Sequence, residues 1–304
     1  MKSFAEFGVF CVGKKGYDFL ASLRARDHRP SLVCAYPQPD DRSRSFERIR
    51  SLASEAGALF VESRSPRIEQ TDLSIFVVGW QYIIPDVDLN LIVFHDSLLP
   101  RYRGFAPTVT ALMNGDPELG VTAFIPVAEA DAGPIVAQAR KAIRHPIRVA
   151  EALEMQSALM ADIATSILQG TIDLDNPIHQ DASKATYSLW RDELDFFIDW
   201  HTDAAAIQRQ VYACGFPYGG ARAIYDGSVI IIDDVEIAAD ACFERRDVGK
   251  IGRLDAGEPI VVCGSGCIKI KKASMEGGAE VAFKKLRSRF FTKSCSWPPQ
   301  LERL

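Results

Sequence analysis

Short apolar runs, separated by helical patterns, constrain this chain more than any other feature. Residues 7–12 (FGVFCV), 32–36 (LVCAY), 74–79 (SIFVVG) and 91–94 (LIVF) are nearly free of polar side chains. Runs of this length without alternation suit strands covered on both faces, the condition of a parallel sheet. Helical spacing fills the gaps, with Phe19, Leu20 and Leu23 after the first run and Phe46, Ile49 and Leu52 after the second. Leu59, Phe60 and Val61 form a further short strand, and residues 121–127 and 134–139 read as two more. Residues 149–168 carry Leu153, Met160, Ile163 and Ile167 near one helical face, and Gly170 marks the stop. The alternation predicts a doubly wound α/β sheet of about 180 residues.

The texture changes near Asp181. Residues 182–188 (ASKATYS) resemble a linker, and Asp203 is placed to cap a helix running to about Tyr212. Short strands follow, separated by turns at Asp226-Gly227, Asp255-Ala256-Gly257 and Gly264-Ser265-Gly266. That spacing points to a small barrel or sandwich. At 304 residues the chain is long for one domain. The division expected is a first domain over 1–182, a linker over 183–202 and a second domain over 203–304.

The first α/β segment has its chemistry at His95, which ends the apolar run at 91–94 and precedes the rigid loop SLLPRYRG at 97–104. Open α/β sheets build their crevices at the carboxyl ends of strands, so this imidazole sits where ligands bind. His28, His145, His179 and His201 lie in polar or turn contexts without that placement. Asp131, in the loop Glu129-Ala130-Asp131-Ala132-Gly133, offers a carboxylate on another strand end. A carboxylate beside an imidazole fixes its tautomer and supports acid–base work. Arg101 and Arg103 flank the same loop and are open to either an anionic substrate group or surface acids. Lys14-Lys15-Gly16, after the first strand, lacks the glycine spacing of a dinucleotide or phosphate-cradling loop. Nicotinamide binding is disfavoured, although a helix N-terminus there could attract an anion.

Composition narrows the class. Hydrophobic content of 47% and charged content of 25% are ordinary for a globular protein. No apolar run reaches membrane-spanning length, and the opening residues lack a signal-peptide layout. Seven scattered cysteines suit reduced thiols, so a cytoplasmic setting is expected. Cys263 and Cys267 lack the second ligand pair of a zinc site, and no metal is expected. The net charge of −5 gives no global footprint for a polyanion and leaves only a local basic stripe as a route to nucleic acid.

Taken in order, His95, Ser97-Leu98-Leu99-Pro100, Arg103-Gly104, Gly120-Val121-Thr122 and Asp131-x-Gly133 resemble the folate-dependent formyltransferases. Arg191-Asp192-Glu193, Ile198-Asp199-Trp200 and Gly215-Phe216-Pro217-Tyr218-Gly219 look like the start of the C-terminal domain in methionyl-tRNA and sugar members. The resemblance implies a Rossmann-like, mostly parallel formyltransferase domain followed by a small, mainly-β, OB-like barrel. It implies transfer of a formyl group from 10-formyltetrahydrofolate, as co-substrate, to a primary amine. The family's catalytic histidine and aspartate carry over to His95 and Asp131. Its asparagine does not, because Val93 stands two residues before His95. Gln81 is the candidate replacement for that oxyanion donor.

By the same resemblance, Trp80, Gln81, Tyr82 and Ile83, with Ala128, Glu129 and Ala130, border the pterin. Ser97, Arg101 and Arg103 belong to the substrate loop. The aromatic style of residues 80–82 and 216–218 looks closer to the sugar enzymes, which act on nucleotide-linked amino sugars. Residues 38–50 interleave Asp40, Asp41 and Glu47 with four arginines, unlike a basic tRNA-binding insertion. A nucleotide-linked amino sugar is therefore the expected acceptor. Methionyl-tRNA formylation and a non-catalytic folate- or nucleotide-binding homologue are the alternatives. A membrane partner is not expected, nucleic acid is disfavoured with tRNA left open, and a homodimer is compatible with the sequence.

Overall fold

The computed structural model describes residues 6–39, 41–67, 73–82, 84, 90–283 and 285–292. It divides into two units: 1–111, 116–190 and 216–218 form the first, and 112–115, 191–215 and 219–304 the second.

The first unit opens with β1 (Phe7–Cys11), α1 (Gly13–Arg24), β2 (Leu32–Ala35), α2 (Ser45–Ala56) and β3 (Leu59–Glu62). The chain continues with β4 (Ser74–Val78), β5 (Asn90–His95), β6 (Arg103–Gly104), α3 (Pro107–Asn114, whose last three residues count with the second unit), β7 (Glu118–Phe124), β8 (Ile135–Ala142) and α4 (Val149–Leu168). The seven-stranded sheet has the order β3-β2-β1-β4-β5-β7-β8. Strands β1 to β5 pair in parallel, while β7 is antiparallel to both β5 and β8. Every residue of β1, β2 and β4 is buried, which explains their unbroken apolar runs.

Alternation along the strands sends side chains to two layers. One layer packs Val9, Phe76, Val78, Ile92 and Phe94 with Phe19 and Leu23 of α1 and Met160 and Ile167 of α4. The opposite layer holds Phe10, Cys34, Ile75 and Val77, with Trp80 and Val93 packed against them. Helix α1 starts at Gly13 and so takes in Lys14, Lys15 and Gly16, ahead of the helical pattern at Phe19, Leu20 and Leu23. Helix α4 ends where expected, with Gly170 left-handed at φ +69.

The chain winds outward through β2 and β3, then returns to the other side of β1 to form β4. This switch point lies between the carboxyl ends of β1 and β4, where such sheets place ligands. His95 ends β5, one strand further along.

Residues expected to be a bare linker include β9 (Tyr187–Ser188), which pairs in parallel with β6. The second unit holds α5 (Ala204–Cys214), capped by the Asp203 carboxylate accepting from Ala206 N, as the sequence indicated. Its antiparallel sheet consists of β10 (Ala221–Tyr225), β11 (Ser228–Ala238), β12 (Ile251–Asp255), β13 (Glu258–Val262), β14 (Cys267–Met275) and β15 (Phe290–Phe291). The order is β12-β13-β14-β11-β10-β15. Trp200 and Phe290 are buried there, with ring centroids 5.1 Å apart.

Gly133 positions the turn between β7 and β8. A Cβ added there would lie 1.8 Å from the Ile125 carbonyl oxygen. Gly133→Ala should therefore lower stability by at least about 2 kcal/mol, read as a shift of the urea midpoint. An unchanged midpoint would contradict this packing.

Candidate active site

Strand alternation directs His95 to the face of Val93, and Phe94 to the α1–α4 side. The pairing of His95 with Thr122 on β7 fixes the end of β5. Thr122 then anchors the loop that follows. Its hydroxyl donates to Ser97 O at 2.7 Å and accepts from Leu99 N at 3.0 Å. Gln138 on β8 reinforces this, donating to Leu99 O and to the Thr122 hydroxyl. Gly120 makes room, since a Cβ there would meet Leu98 Cγ at 2.3 Å.

The loop curls back onto the imidazole. His95 Nε2 lies 2.7 Å from the Tyr102 carbonyl oxygen, with Tyr102 itself left-handed at φ +58. A carbonyl only accepts, so Nε2 is assigned a hydrogen in both charge states of the ring. Nδ1 is then the nitrogen left free of that carbonyl. It faces Asp131 Oδ1 at 3.6 Å, within ion-pair range but beyond a direct hydrogen bond. His95 is 7% exposed. The other Asp131 oxygen accepts from Gly104 N at 2.8 Å. Asp131 also has a left-handed backbone, φ +55.

The structure thus brings His95 and Asp131 together. The remaining residues named from the sequence divide by what they touch. The Ser97 hydroxyl donates to Arg101 O at 2.6 Å and so shapes the loop. Arg103 is buried, its guanidinium bonded to Gln180 and Glu129. Arg101 is half exposed, in contact with the Tyr102 hydroxyl and Asp116. Ala128, Glu129 and Ala130 are exposed beside Asp131.

Val93 pairs with Val77 and Phe124 and presents no side-chain donor. Gln81 is exposed on the loop after β4, whose last residue Val78 pairs with Phe94. Ile83 lies outside the described residues. Trp80 and Tyr82 pack on Tyr36, at centroid distances of 5.0 and 5.4 Å. The Trp80 indole N–H is buried without a partner among the described residues. Burial pushes the Tyr36 phenol up to about 12, so it keeps its proton. The exposed Tyr82 ring offers a flat face to a heteroaromatic ligand, and a pterin is such a ligand.

Sequence reasoning missed what lies behind the histidine. Asp96, buried, receives Lys15 Nζ at 2.5 Å and the Thr108 hydroxyl at 2.5 Å. Gln156 of α4 donates to Asp96 O at 3.0 Å and to Gly120 O at 2.9 Å. Burial acts to raise the Asp96 pKa, but the Lys15 charge, the His95 charge and the two hydrogen bonds outweigh it and hold it at about 2. Lys14 pairs with Asp18 and Glu154. Both lysines of the Lys14-Lys15 pair therefore serve internal ion pairs. Among the described residues, no group of three or more His, Cys, Asp or Glu side chains gathers to hold a metal ion.

Comparison with known proteins decides the family. The formyl transferase model matches residues 64–161, and the model of the formyl transferase C-terminal domain matches residues 192–290. A methionyl-tRNA formyltransferase of Ralstonia pickettii (strain 12J) is 30% identical over 231 residues, which is 73% of this chain and 68% of that protein. The chain belongs to the formyltransferase family. Two solved structures share the fold of this formyltransferase. The crystal structure of WlaRD, a sugar 3N-formyl transferase in the presence of dTDP and 5-N-formyl-THF, has a TM-score of 0.63 at 17% identity, covering 88% of this chain and 97% of that one. The N-formyltransferase from Helicobacter canadensis, in complex with folinic acid and dTDP-3-aminofucose, has a TM-score of 0.63 at 15% identity, with coverages of 87% and 98%.

The Asp96–Lys15 pair generates a stability prediction. Depressed in the folded state, Asp96 contributes stability fully above the unfolded value of about 4, and that contribution is lost as pH falls towards 2. Lys15→Met leaves the carboxylate buried and unpaired, and should lower unfolding free energy at pH 7 by about 3–5 kcal/mol. Asp96→Asn in the same chain should recover much of that loss. Urea unfolding checks both, and a loss below about 1 kcal/mol would show the pair to be solvated.

Proposed function

We propose that this formyltransferase moves the formyl group of 10-formyltetrahydrofolate to the amine of a nucleotide-linked amino sugar. The carrying observation is His95, whose Nδ1 faces Asp131 while its Nε2 is tied to the Tyr102 carbonyl. Bound folate supplies the electrophilic formyl carbon. The attacking amine must shed a proton, and Nδ1 is the position built to receive it. Asp131 stabilises the resulting imidazolium and holds the ring plane. Returning the proton from Nδ1 to the departing folate nitrogen restores the neutral ring. With Val93 unable to donate, Gln81 is the side-chain donor on the adjoining loop that serves the developing oxyanion. Arg101, half exposed and paired with Asp116, is the loop cation assigned to an anionic group of the acceptor.

A small acceptor is supported by the arginines of residues 38–50. Arg42 donates to Tyr218 O at 3.0 Å, Arg48 lies 3.6 Å over the Tyr17 ring, and Arg50 pairs with Glu62. With three of the four arginines engaged this way, residues 38–50 do not form a free cationic arm. Methionyl-tRNA formylation is the second reading, supported by the names of the sequence relatives. It requires acceptor binding that weakens steeply with salt.

The test is turnover with 10-formyltetrahydrofolate, a panel of amino-sugar nucleotides and methionyl-tRNA, read as formamide product by mass spectrometry. An amino-sugar nucleotide should be formylated with shallow salt dependence. His95→Ala should reduce kcat/KM by about 10²–10⁴, and Asp131→Asn by a similar order. Turnover of tRNA alone would establish the second reading. Folate binding without any product would make the chain a binding homologue. Gln81→Leu should lower kcat by about 10²–10³, and an unchanged kcat would remove Gln81 from oxyanion stabilisation.

A further inference from the structure

We propose that Gln180 is the positioning residue for the catalytic aspartate, clamping the Asp131 and Arg103 loops through one side-chain amide. Its Nε2 donates to Asp131 O and to Gly133 O, each at 2.7 Å. Its Oε1 accepts from Arg103 Nη2 at 2.8 Å and Nε at 3.2 Å. Both amide hydrogens and both oxygen lone pairs are thereby used. No other uncharged side chain of this length offers two donors and a forked acceptor together.

Register explains how a residue so distant in sequence reaches the site. Ile178 exchanges two 2.7 Å backbone hydrogen bonds with Ile135 at the start of β8. In that antiparallel pairing, the residue two after Ile178 falls opposite the residue two before Ile135. Gln180 is therefore aimed at Gly133, at the closing end of the Asp131 turn.

The clamp acts on the catalytic carboxylate from both sides. On one side it holds the backbone of Asp131, a non-glycine residue at φ +55 that needs outside contacts to stay left-handed. On the other it holds the Arg103 side chain. Gly104, the next residue, donates its N–H to Asp131 Oδ2 at 2.8 Å. Losing the amide frees the loop that carries the carboxylate and the loop that hydrogen-bonds it. Glu129 adds only an exposed contact to Arg103, at 3.3 Å.

The proposal rests on the assignment of Asp131 to catalysis, but the clamp can be read without any substrate. The Gly104 amide reports the Asp131 bond, and the Val77 amide in β4 reports the buried sheet. Hydrogen exchange by NMR should show Gly104 exchanging at least about tenfold faster in Gln180→Leu, with Val77 unchanged. Gln180→Glu keeps the Arg103 acceptor, loses both donors and should behave the same way, which covers a failure of the leucine variant to fold. Asp131→Ala should speed Gly104 exchange equally, and adding Gln180→Leu to it should bring no further increase. Unchanged Gly104 exchange in the folded Gln180 variants, or a parallel rise at Val77, would overturn the clamp. Where an acceptor turns over, Gln180→Leu should lower kcat by about 10²-fold, with KM for the formyl donor within about twofold. Intact kcat with faster Gly104 exchange would overturn the positioning role while leaving formyl transfer standing.

Discussion

The bond between His95 Nε2 and the Tyr102 carbonyl is the contact on which the site depends. It closes the loop after β5 back onto its own strand, and it decides which imidazole nitrogen is free for proton exchange. Most contacts around it keep the loop in that curled shape. Thr122 and Gln138 hold the first half, and Thr186 holds the second, its hydroxyl accepting from Tyr102 N at 2.9 Å. The sheet supplies the fixed end of the arrangement, and the β6–β9 pairing supplies the far end. Without the carbonyl at Nε2, either nitrogen could take the hydrogen and Asp131 would face an ill-defined partner.

Two electrostatic environments meet at this strand end. On the open face, His95 meets a half-buried carboxylate with one oxygen held by Gly104. On the closed face, Asp96 is neutralised by Lys15 within the α1–α4 layer. Alternation at the end of β5 turns His95 and Asp96 to opposite faces, so Asp96 anchors the strand end while His95 faces Asp131 from the β7–β8 loop. A buried ion pair of this kind contributes modest net stability and is costly to break, which suits a part that must keep its shape.

The sheet was legible because parallel strands leave a direct trace: 7–12, 32–36, 74–79 and 91–94 are apolar for a physical reason tied to burial on both faces. The second unit was legible through its turns and the Asp203 cap. His95 is marked by its place after a strand and Asp131 by its turn on another strand end, and the formyltransferase pattern joins the two. Other parts left no local mark. Lys15 and Asp96 are 81 residues apart, and Arg103 and Gln180 are 77 apart. Pairings across such distances follow from topology, which no spacing rule reports. Residues 182–188 read as linker because Tyr187 and Ser188 pair with only the two residues of β6, too short a strand to show periodicity.

The geometry predicts that His95 exchanges its proton at Nδ1, against Asp131, with Nε2 fixed to a backbone carbonyl. Nitrogen-15 NMR of histidine-labelled protein, titrated through the imidazole range, tests this most directly. The expected result is a neutral His95 that stays protonated at Nε2, with the titrating signal at Nδ1 and with that signal altered in Asp131→Asn. A neutral ring protonated at Nδ1, or a His95 signal indifferent to Asp131, would overturn this assignment of the two nitrogens.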